Sequence, residues 1–318
     1  MIYDKAEYMR CVVIGGGGFI GSHLCETLLS VGHDVTVFDR ADSPNLELLK
    51  QKGVRLCVGD FFNPEDVQRS LQDQEVLFHL LSTTVPQTSN EDPARDVETN
   101  VVGTLRLLEA VRKTSIKKII FPSSGGTVYG VPREIPIKED HPTNPTSSYG
   151  IGKLIIEKYL NMYWTLYGLD YCVLRIANAY GERQRPTATQ GVIPVFLERG
   201  LRDQEITVWG DGSVIRDYIH VMDIARALMK VVAYSGSTKI FNIGSGQGHT
   251  LKEIIHLIES IIGRQIQVKY TDARSFDVPI NVLDITRARN DMKWTPTVSL
   301  QEGITRMYTW MAKQYNGS

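Results

Sequence analysis

Short apolar runs alternate with amphipathic helical segments through the first half of the chain. The apolar runs are rich in Val, Ile, Leu and Phe and show little in–out alternation, which is typical of strands covered on both faces. The predicted strands are Cys11–Ile14, Asp34–Phe38, Val54–Val58, Val76–Leu81, Lys118–Pro122 and Tyr171–Ile176. The predicted helices between them are Ile20–Leu29, Pro64–Leu71, Asn100–Lys113 and Ser148–Leu166. Strand–helix alternation with right-handed crossovers predicts an α/β fold built on a doubly wound parallel sheet.

The strand–helix rhythm breaks after about residue 178. A polar, Arg-rich segment over Gly181–Gly191 predicts a loop, and the later apolar patterns predict short helices and strands. The helices are expected at Val192–Gly200, Leu251–Ile262 and Leu300–Met311, and the strands at Ile206–Trp209 and Lys239–Ile243. We therefore expect a sheet domain over residues 1–178, with a return strand near 239–243, and a smaller interleaved lobe over residues 179–318.

The composition is that of an ordinary globular protein, with 42% hydrophobic and 22% charged residues among 318. The 35 basic residues nearly cancel the 36 acidic ones, so no basic excess favours nucleic acid or a membrane surface as a partner. The four cysteines form no disulfide framework, and no CxxC or histidine pair indicates a metal site. Because the sequence shows no apolar signal segment and no run of ~18 apolar residues, we expect a cytoplasmic protein.

A glycine-rich turn follows the first predicted strand and opens the first predicted helix. Gly15 permits the tight turn, Gly18 lets the backbone approach a pyrophosphate, and Gly21 allows the helix to pack closely on the strand. The helix N-terminus adds unpaired N–H groups and the positive end of the helix dipole. This segment therefore predicts a dinucleotide-binding site.

Residues after the second and third strands suit the adenosine half of such a dinucleotide. Asp39 ends the second strand, 18 residues after Gly21, where it can accept hydrogen bonds from the ribose hydroxyls. Its charge would repel a 2′-phosphate, so NAD is favoured over NADP, although the neighbouring Arg40 partly offsets this. Asp60 and Phe61, after the third strand, are expected to bracket adenine.

Further motifs follow these residues in a fixed order along the chain. They are Asn100, Ser123-Ser124, Tyr149-x-x-x-Lys153 and Arg216-Asp217-Tyr218-Ile219-His220-Val221. Together with the GxxGxxG spacing and Asp39, they resemble the extended short-chain dehydrogenase/reductase superfamily, and more narrowly its NAD-dependent nucleotide-sugar epimerases. The resemblance runs from about residue 10 to 311. It implies a Rossmann domain that binds NAD and a smaller lobe that binds a nucleotide sugar.

Tyr149 and Lys153 lie four residues apart at the start of a predicted helix, so their side chains share one face. A free tyrosine has a pKa near ~10, so a base near neutral pH needs stabilising by about 3 units, or roughly 4 kcal/mol. A nearby ammonium group, the charge of a bound nicotinamide and the helix start all favour the phenolate. The resemblance implies that Tyr149 takes or returns the sugar hydroxyl proton, and that Lys153 binds the nicotinamide ribose and tunes Tyr149.

The third catalytic position departs from the family pattern. The best-known epimerases carry three serines before Ala-Thr-Val-Tyr-Gly, and the third is catalytic, whereas this chain has Gly125 at that position. Ser124 is the first candidate for the hydroxyl that bonds the reacting oxygen, and Thr127 is the second. Both hydroxyls could instead satisfy backbone groups at the strand end. The Asp-Glu pair of related dehydratases and the cysteine of related epimerase-reductases are missing here.

The later motifs imply a nucleotide-sugar site. Arg216 and Arg274 match diphosphate-binding arginines, whose planar fork suits phosphate, and Asn178 matches a residue that contacts the phosphates in relatives. Many glucose/galactose epimerases carry a tyrosine where this chain has Asn281, so the smaller side chain is expected to leave room for a 2-N-acetyl group. The other implied substrate contacts are Thr84, Ser124, Thr127, Tyr149, Gly191, Val192 and Val208. The other implied cofactor contacts are Phe19, Ile20, Leu80, Leu81, Ser82, Asn100, Ser123, Tyr149, Lys153 and Ile176.

The resemblance implies reversible inversion at C4 of a UDP-hexose or UDP-N-acetylhexosamine through a transient 4-keto sugar, with Tyr149 as acid and base. Two other activities stay open. One is an NAD(P)H-dependent reductase of a nucleotide-linked 4-keto-6-deoxy sugar, and the other is a non-catalytic dinucleotide sensor. The family also implies a homodimer formed through the helices predicted at Asn100–Lys113 and Ser148–Leu166.

Overall fold

The computed structural model describes residues 8–186, 191–273 and 278–316. Its largest feature is a seven-stranded sheet in which neighbouring strands run parallel. In spatial order the strands are β3 (Arg55–Val58), β2 (Asp34–Asp39), β1 (Arg10–Ile14), β4 (Val76–His79), β5 (Lys118–Ser124), β6 (Asp170–Ile176) and β10 (Ile240–Ile243). The order of the strands reverses between β1 and β4, and in such sheets ligands bind at the carboxyl ends beside that switch point. The predicted doubly wound sheet is confirmed.

Helices cover both faces of this sheet. They are α1 (Phe19–Ser30), α2 (Leu46–Gln51), α3 (Pro64–Leu71), α4 (Pro93–Asp96), α5 (Gly103–Val111), α6 (Ser148–Tyr167) and α8 (Val221–Val232), with a 3₁₀ turn at Thr88–Asn90 and a π-helical turn at Val97–Val102. One face of the sheet packs with α1 and α8, and the other packs with α3, α5 and α6. This two-sided burial explains the continuous apolar runs of the strands.

Several elements differ from the pattern expected from the sequence. The strand expected over Val76–Leu81 ends at His79, because the next two residues cross above the glycine-rich turn. The helix expected over Asn100–Lys113 begins inside the π-helical turn, and its regular part is shorter. Helix α8 was not predicted, although its apolar residues recur at helical spacing.

The remaining elements form two smaller sheets and further helices. One sheet contains β7 (Asn178–Tyr180), β9 (Ile215–His220), β11 (Gly248–Thr250) and β13 (Ile280–Asn281), and the other pairs β8 (Ile206–Trp209) with β12 (Val268–Thr271). The helices are α7 (Val192–Leu201), α9 (Leu251–Ile262), α10 (Thr286–Asp291) and α11 (Leu300–Asn316). Helices α7, α9 and α11 share an apolar core with β8. Across the described ranges, every helix is too short or too polar to span a membrane.

Candidate active site

The turn between β1 and α1 is built so closely that Gly15 and Gly21 have no room for side chains. Gly15 has φ +80°, and a Cβ there would stand 2.9 Å from the backbone nitrogen of Leu81. A Cβ on Gly21 would stand 2.5 Å from the Gly15 carbonyl oxygen. Gly18 is the N-cap of α1, and no described side chain caps that end, so the first-turn N–H groups can face a ligand. This cradle fits the pyrophosphate of a dinucleotide.

Asp39 lies at the carboxyl end of β2, directly beside this turn. Its Oδ2 accepts hydrogen bonds from the Gly17 N–H at 2.9 Å and from Ser43 Oγ at 3.2 Å. The neighbouring Arg40 points outward and forms an exposed ion pair with Asp42 at 3.6 Å. The carboxylate is therefore fixed beside the cradle, where it suits ribose hydroxyls, while the arginine side chain is turned to solvent.

Asp60 and Phe61 follow β3, next along the same edge of the sheet. The Asp60 carboxylate accepts from the Phe62 N–H at 3.0 Å, which stabilises the turn. The Phe61 ring stacks on His79, with the ring centroids 5.7 Å apart, and packs against Gly103 of α5. The Phe61 ring thus contributes to the protein interior, a role that the sequence did not indicate.

One small cavity brings together several of the predicted cofactor residues. Its lining includes Leu81, Ser82, Asn100, Tyr149 and Lys153, all predicted, and also Asp96, Gly152 and Ile156, which were not. The Asn100 amide is fixed at both ends. It donates to Asp96 Oδ1 at 2.9 Å and accepts from the Thr83 N–H at 3.0 Å. Residues from as far apart in sequence as Leu81 and Ile156 therefore meet at the carboxyl ends of β4 and β5.

The first turn of α6, which carries Tyr149, is anchored to the 3₁₀ turn before α4. The Tyr149 N–H donates to Ser89 Oγ at 3.0 Å, and the Ser148 N–H donates to Asn90 Oδ1 at 2.9 Å. The Ser147 hydroxyl caps the helix by accepting from the Gly150 N–H. These bonds fix the start of the helix and hence the direction of the tyrosine side chain.

Lys153 is buried one turn further along α6, and its Nζ lies 5.6 Å from the centre of the Tyr149 ring. Its ammonium donates to the Pro122 carbonyl at 3.0 Å. Burial lowers the pKa of Lys153 to about 8, although the negative charges of Glu157 and Asp96 act to raise it. Burial, followed by the charge of Asp96, raises the pKa of Tyr149 to about 12. The chain by itself therefore keeps Tyr149 protonated, and its activation as a base requires additional positive charge.

The end of β5 explains why this chain has no serine at position 125. A Cβ on Gly125 would stand 2.5 Å from Leu283 Cδ1 and 3.0 Å from the Arg175 carbonyl oxygen. Ser124 ends the strand opposite Ile176 of β6. Thr127 Oγ1 is buried and has no hydrogen-bond partner among the described residues. Both candidate hydroxyls therefore lie in this segment, and the buried Thr127 Oγ1 is left without a partner among the described residues.

Ser123 points the other way, into a buried polar network beneath the site. Its hydroxyl donates to Glu157 Oε1 at 2.5 Å, and Glu157 is paired with Arg175 at 2.6 Å. Arg175 also donates to the Tyr129 hydroxyl at 3.0 Å. The Ser123 side chain is thus engaged within the protein, so a cofactor contact from this residue would have to come from its backbone.

The predicted substrate residues lie on several elements. Asn178 Nδ2 donates to the Asp217 carbonyl at 3.0 Å, and Arg216 of β9 pairs in register with Asn281 of β13. Asn281 is 1% exposed, its Nδ2 donates to the Gly125 carbonyl at 3.2 Å, and its Oδ1 has no described partner.

Five other predicted residues complete this set, and the first of them, Thr84, donates through Oγ1 to Asp96 Oδ1. Gly191, with φ +82°, precedes Val192 at the start of α7. Val208 is 1% exposed and packs in the core of the smaller lobe. Arg274 lies outside the described residues.

The described residues include no group of three or more His, Cys, Asp or Glu side chains arranged to hold a metal ion. His23, near the cradle, instead bonds the Glu182 carbonyl oxygen at 2.9 Å.

Comparisons with known proteins agree with this geometry. A family model described as the NAD dependent epimerase/dehydratase family matches residues 11–244. The UDP-glucose 4-epimerase of Mycolicibacterium smegmatis is 38% identical over 94% of this chain and 97% of that protein. The dTDP-4-dehydro-6-deoxyglucose reductase of Escherichia coli is 34% identical over 93% of this chain and 95% of that protein.

Solved structures extend the similarity to three dimensions. A Thermotoga maritima UDP-glucose 4-epimerase with UDP-glucose superposes with a TM-score of 0.91 and 38% identity, covering 96% of this chain and all of that one. A Methanobrevibacter ruminantium UDP-N-acetylglucosamine 4-epimerase in complex with UDP-N-acetylmuramic acid gives 0.90 and 30%, covering 97% and 100%. The fold and family expected from the sequence are thus confirmed, with NAD as the cofactor. This chain belongs to the NAD dependent epimerase/dehydratase family.

Proposed function

We propose that this protein is an NAD-dependent 4-epimerase of a UDP-hexose or a UDP-N-acetylhexosamine. The observation that carries the proposal is the cavity in which Tyr149 and Lys153 meet Asn100, behind a glycine cradle that fits a dinucleotide pyrophosphate. The UDP-glucose and UDP-N-acetylglucosamine 4-epimerases among its relatives and structural neighbours support the same activity.

The chain's own residues would move the proton and hold the sugar. Bound NAD would supply the reversible oxidation of the carbinol at C4. Tyr149 would remove the 4-hydroxyl proton and later return it, while the Lys153 ammonium favours the phenolate. Because burial raises the pKa of Tyr149 to about 12 in the protein alone, this base depends on the positive charge that Lys153 and the nicotinamide provide together. Ser124 or Thr127 would donate a hydrogen bond to the reacting oxygen.

Inversion requires the 4-keto sugar to turn over while the nucleotide stays fixed. Arg216, Arg274 and Asn178 are proposed to hold the diphosphate, and Arg216 and Asn281 occupy paired positions on neighbouring strands. The Asn281 side chain donates to the Gly125 carbonyl, and the small size of both residues supports the proposal that the pocket accepts a 2-N-acetyl group.

A second candidate activity is the reduction of a nucleotide-linked 4-keto-6-deoxy sugar by NAD(P)H. It is favoured by the similarity to the Escherichia coli dTDP-4-dehydro-6-deoxyglucose reductase and by the missing third serine. It would consume one reduced cofactor for each product, whereas the epimerase would consume none.

Two features of organisation are also proposed. Residues 1–178, with the return strand β10, would form the NAD-binding domain, and residues 179–318 would form the interleaved lobe for the nucleotide sugar. A homodimer would form through α5 and α6. The apolar residues Ile151, Met162 and Leu166 recur on one side of α6 and are 45%, 37% and 61% exposed, which supports a helix face that a second copy covers.

The activity is tested by NMR of the purified enzyme with UDP-glucose and, separately, UDP-N-acetylglucosamine, with no cofactor added. Appearance of the galacto epimer, and its loss in Tyr149→Phe, is the expected result. Failure to form any epimer after NAD is supplied would contradict the proposed substrates. Oxidation of added NADH or NADPH by a 4-keto-6-deoxy nucleotide sugar would then identify the reductase.

A further inference from the structure

Asp96 is an acid that no sequence motif singled out, yet it lines the same cavity as Tyr149 and Lys153. It ends α4, immediately before the π-helical turn, and is 2% exposed. Its Oδ2 faces α6, because a Cβ on Gly152 would stand 3.9 Å from that oxygen. The carboxylate therefore lies against the turn of α6 that carries the proposed base and its lysine.

The hydrogen bonds described for this carboxylate all come from neutral donors. Ser148 Oγ donates to Oδ2 at 2.7 Å, Asn100 Nδ2 donates to Oδ1 at 2.9 Å, and Thr84 Oγ1 also donates to Oδ1. These donors satisfy the oxygens, but they do not neutralise the charge. A buried charge is costly unless an opposite charge accompanies it.

The other acid near Lys153 has a cation as its partner. Glu157 is buried too, but it forms an ion pair with Arg175 at 2.6 Å. Among the ion pairs found in the described ranges, none includes Asp96. The cavity thus holds one carboxylate that is fully hydrogen-bonded but has no cation at ion-pair distance.

We propose that Asp96 sets the redox balance of the bound cofactor, favouring NAD⁺, whose nicotinamide ring is cationic, over NADH, whose ring is neutral. A fixed negative charge in a poorly solvated cavity lowers the free energy of a cation more than that of a neutral group. The inference rests on the NAD site and not on the identity of the sugar. A cofactor that is reduced and reoxidised in one turnover must return to NAD⁺, and this charge favours that return.

Asp96 acts on the neighbouring side chains as well. Its charge favours the protonated forms of both Lys153 and Tyr149. A protonated Lys153 supports the proposed chemistry, whereas a protonated Tyr149 opposes it. A turnover rate would therefore combine both effects. The reduction potential of the bound cofactor separates the proposed role from both.

The experiment is a redox titration of the holoenzyme against mediator dyes, without sugar, following the near-ultraviolet absorbance of bound NADH. Asp96→Asn removes the charge at nearly constant shape and is expected to shift the balance toward NADH by about tenfold, which raises the two-electron potential by ~30 mV. Ser148→Ala removes one hydrogen bond but keeps the charge, and it is expected to leave the potential nearly unchanged. A shift of less than about threefold in Asp96→Asn, or an equal shift in Ser148→Ala, overturns the proposal.

Two further measurements keep the test decisive. If Asp96→Asn releases the cofactor, the ratio of the dissociation constants for NAD⁺ and NADH reports the same tenfold change. If it does not fold, as judged by circular dichroism, Asp96→Ser supplies a second neutral variant with the same expected direction. Since no sugar is present, failure of the proposed epimerase activity would not affect either result.

Discussion

Leu283 occupies the space that a side chain at position 125 would need, with its Cδ1 2.5 Å from the place of that Cβ. A serine at this position would therefore require Leu283 to move. In the proposed mechanism, the hydroxyl that bonds the reacting oxygen comes from a neighbour of Gly125. Ser124 ends β5 and Thr127 follows three residues later, in the turn that leads away from the strand.

Paired substitutions distinguish these two hydroxyls. We expect Ser124→Ala to lower kcat about 10²-fold, because removing a donor to a developing oxyanion typically has an effect of that size. Thr127→Val should lower kcat less than tenfold, and it should not reduce thermal stability, because Thr127 Oγ1 is buried without a described partner. The measurements are steady-state kinetics and thermal melting. The opposite order of the two kcat effects would assign the role to Thr127.

At the scale of elements, the turn that joins β1 to α1 has glycine at two positions for two different reasons. Gly21 is required by packing, since a Cβ there would stand 2.5 Å from the Gly15 carbonyl oxygen. At Gly18 the nearest atom to such a Cβ is 3.3 Å away, and the backbone there has φ −73°. The protein itself can therefore accommodate a methyl group at Gly18 far more easily than at Gly21.

We accordingly expect Gly21→Ala to lower the melting temperature by several degrees, on the order of 1–3 kcal/mol of stability. Gly18→Ala should melt close to the unmodified protein but bind NAD at least tenfold more weakly, because its methyl group would occupy the approach of the pyrophosphate. Calorimetry for binding and thermal melting for stability check the pair. Unchanged NAD affinity in Gly18→Ala would show that the phosphates bind elsewhere.

Helix α6 carries exposed apolar residues on one side, and this side is the proposed dimer interface. We expect Met162→Glu to shift the protein from dimer to monomer in light scattering, because a charge at the centre of an apolar interface leaves a buried group unpaired. Gln301→Glu, on the exposed side of α11, is the control that should leave the mass unchanged. A monomeric mass for the unmodified protein would refute the proposed interface.

At the scale of the whole molecule, buried neutral histidines link stability to pH. Burial lowers the pKa of His79 to about 3 and that of His23 to about 4, from 6.5. The unfolded chain therefore binds more protons than the folded one between about pH 6.5 and these values. The contribution of these two neutral histidines to the free energy of unfolding is fully present above pH 6.5 and is lost as the pH falls.

The expected slope is up to about 1.4 kcal/mol per pH unit for each histidine. The free energy of unfolding should therefore fall less steeply between pH 6.5 and pH 5 in His79→Gln than in the unmodified protein, because one of the two histidines is gone. Replacing the exposed Gln301 by Asn, which removes no titratable group, should leave the slope unchanged. Chemical denaturation at several pH values measures this, and identical slopes for His79→Gln and the unmodified protein would contradict it.

Features that depend on neighbours in sequence were predictable. The apolar runs of β1 to β6, the glycine cradle and the spacing of Tyr149 and Lys153 all follow from backbone geometry within one strand–turn–helix unit. Helix α8 carried a readable helical pattern and was missed. Val208 matched a family position, but its burial in the core of the smaller lobe depends on packing that its local pattern does not specify.

By itself, the sequence determined the doubly wound sheet, the family and the glycine-rich turn after the first strand, because strand–helix alternation and such a turn are local patterns. Only the tertiary structure decided which distant residues complete the site. Asp96 and Ser148 are 52 residues apart and share a hydrogen bond, and Asn281 reaches Gly125 across 156 positions. Such pairs depend on how strands and helices pack, and no short-range pattern specifies that packing.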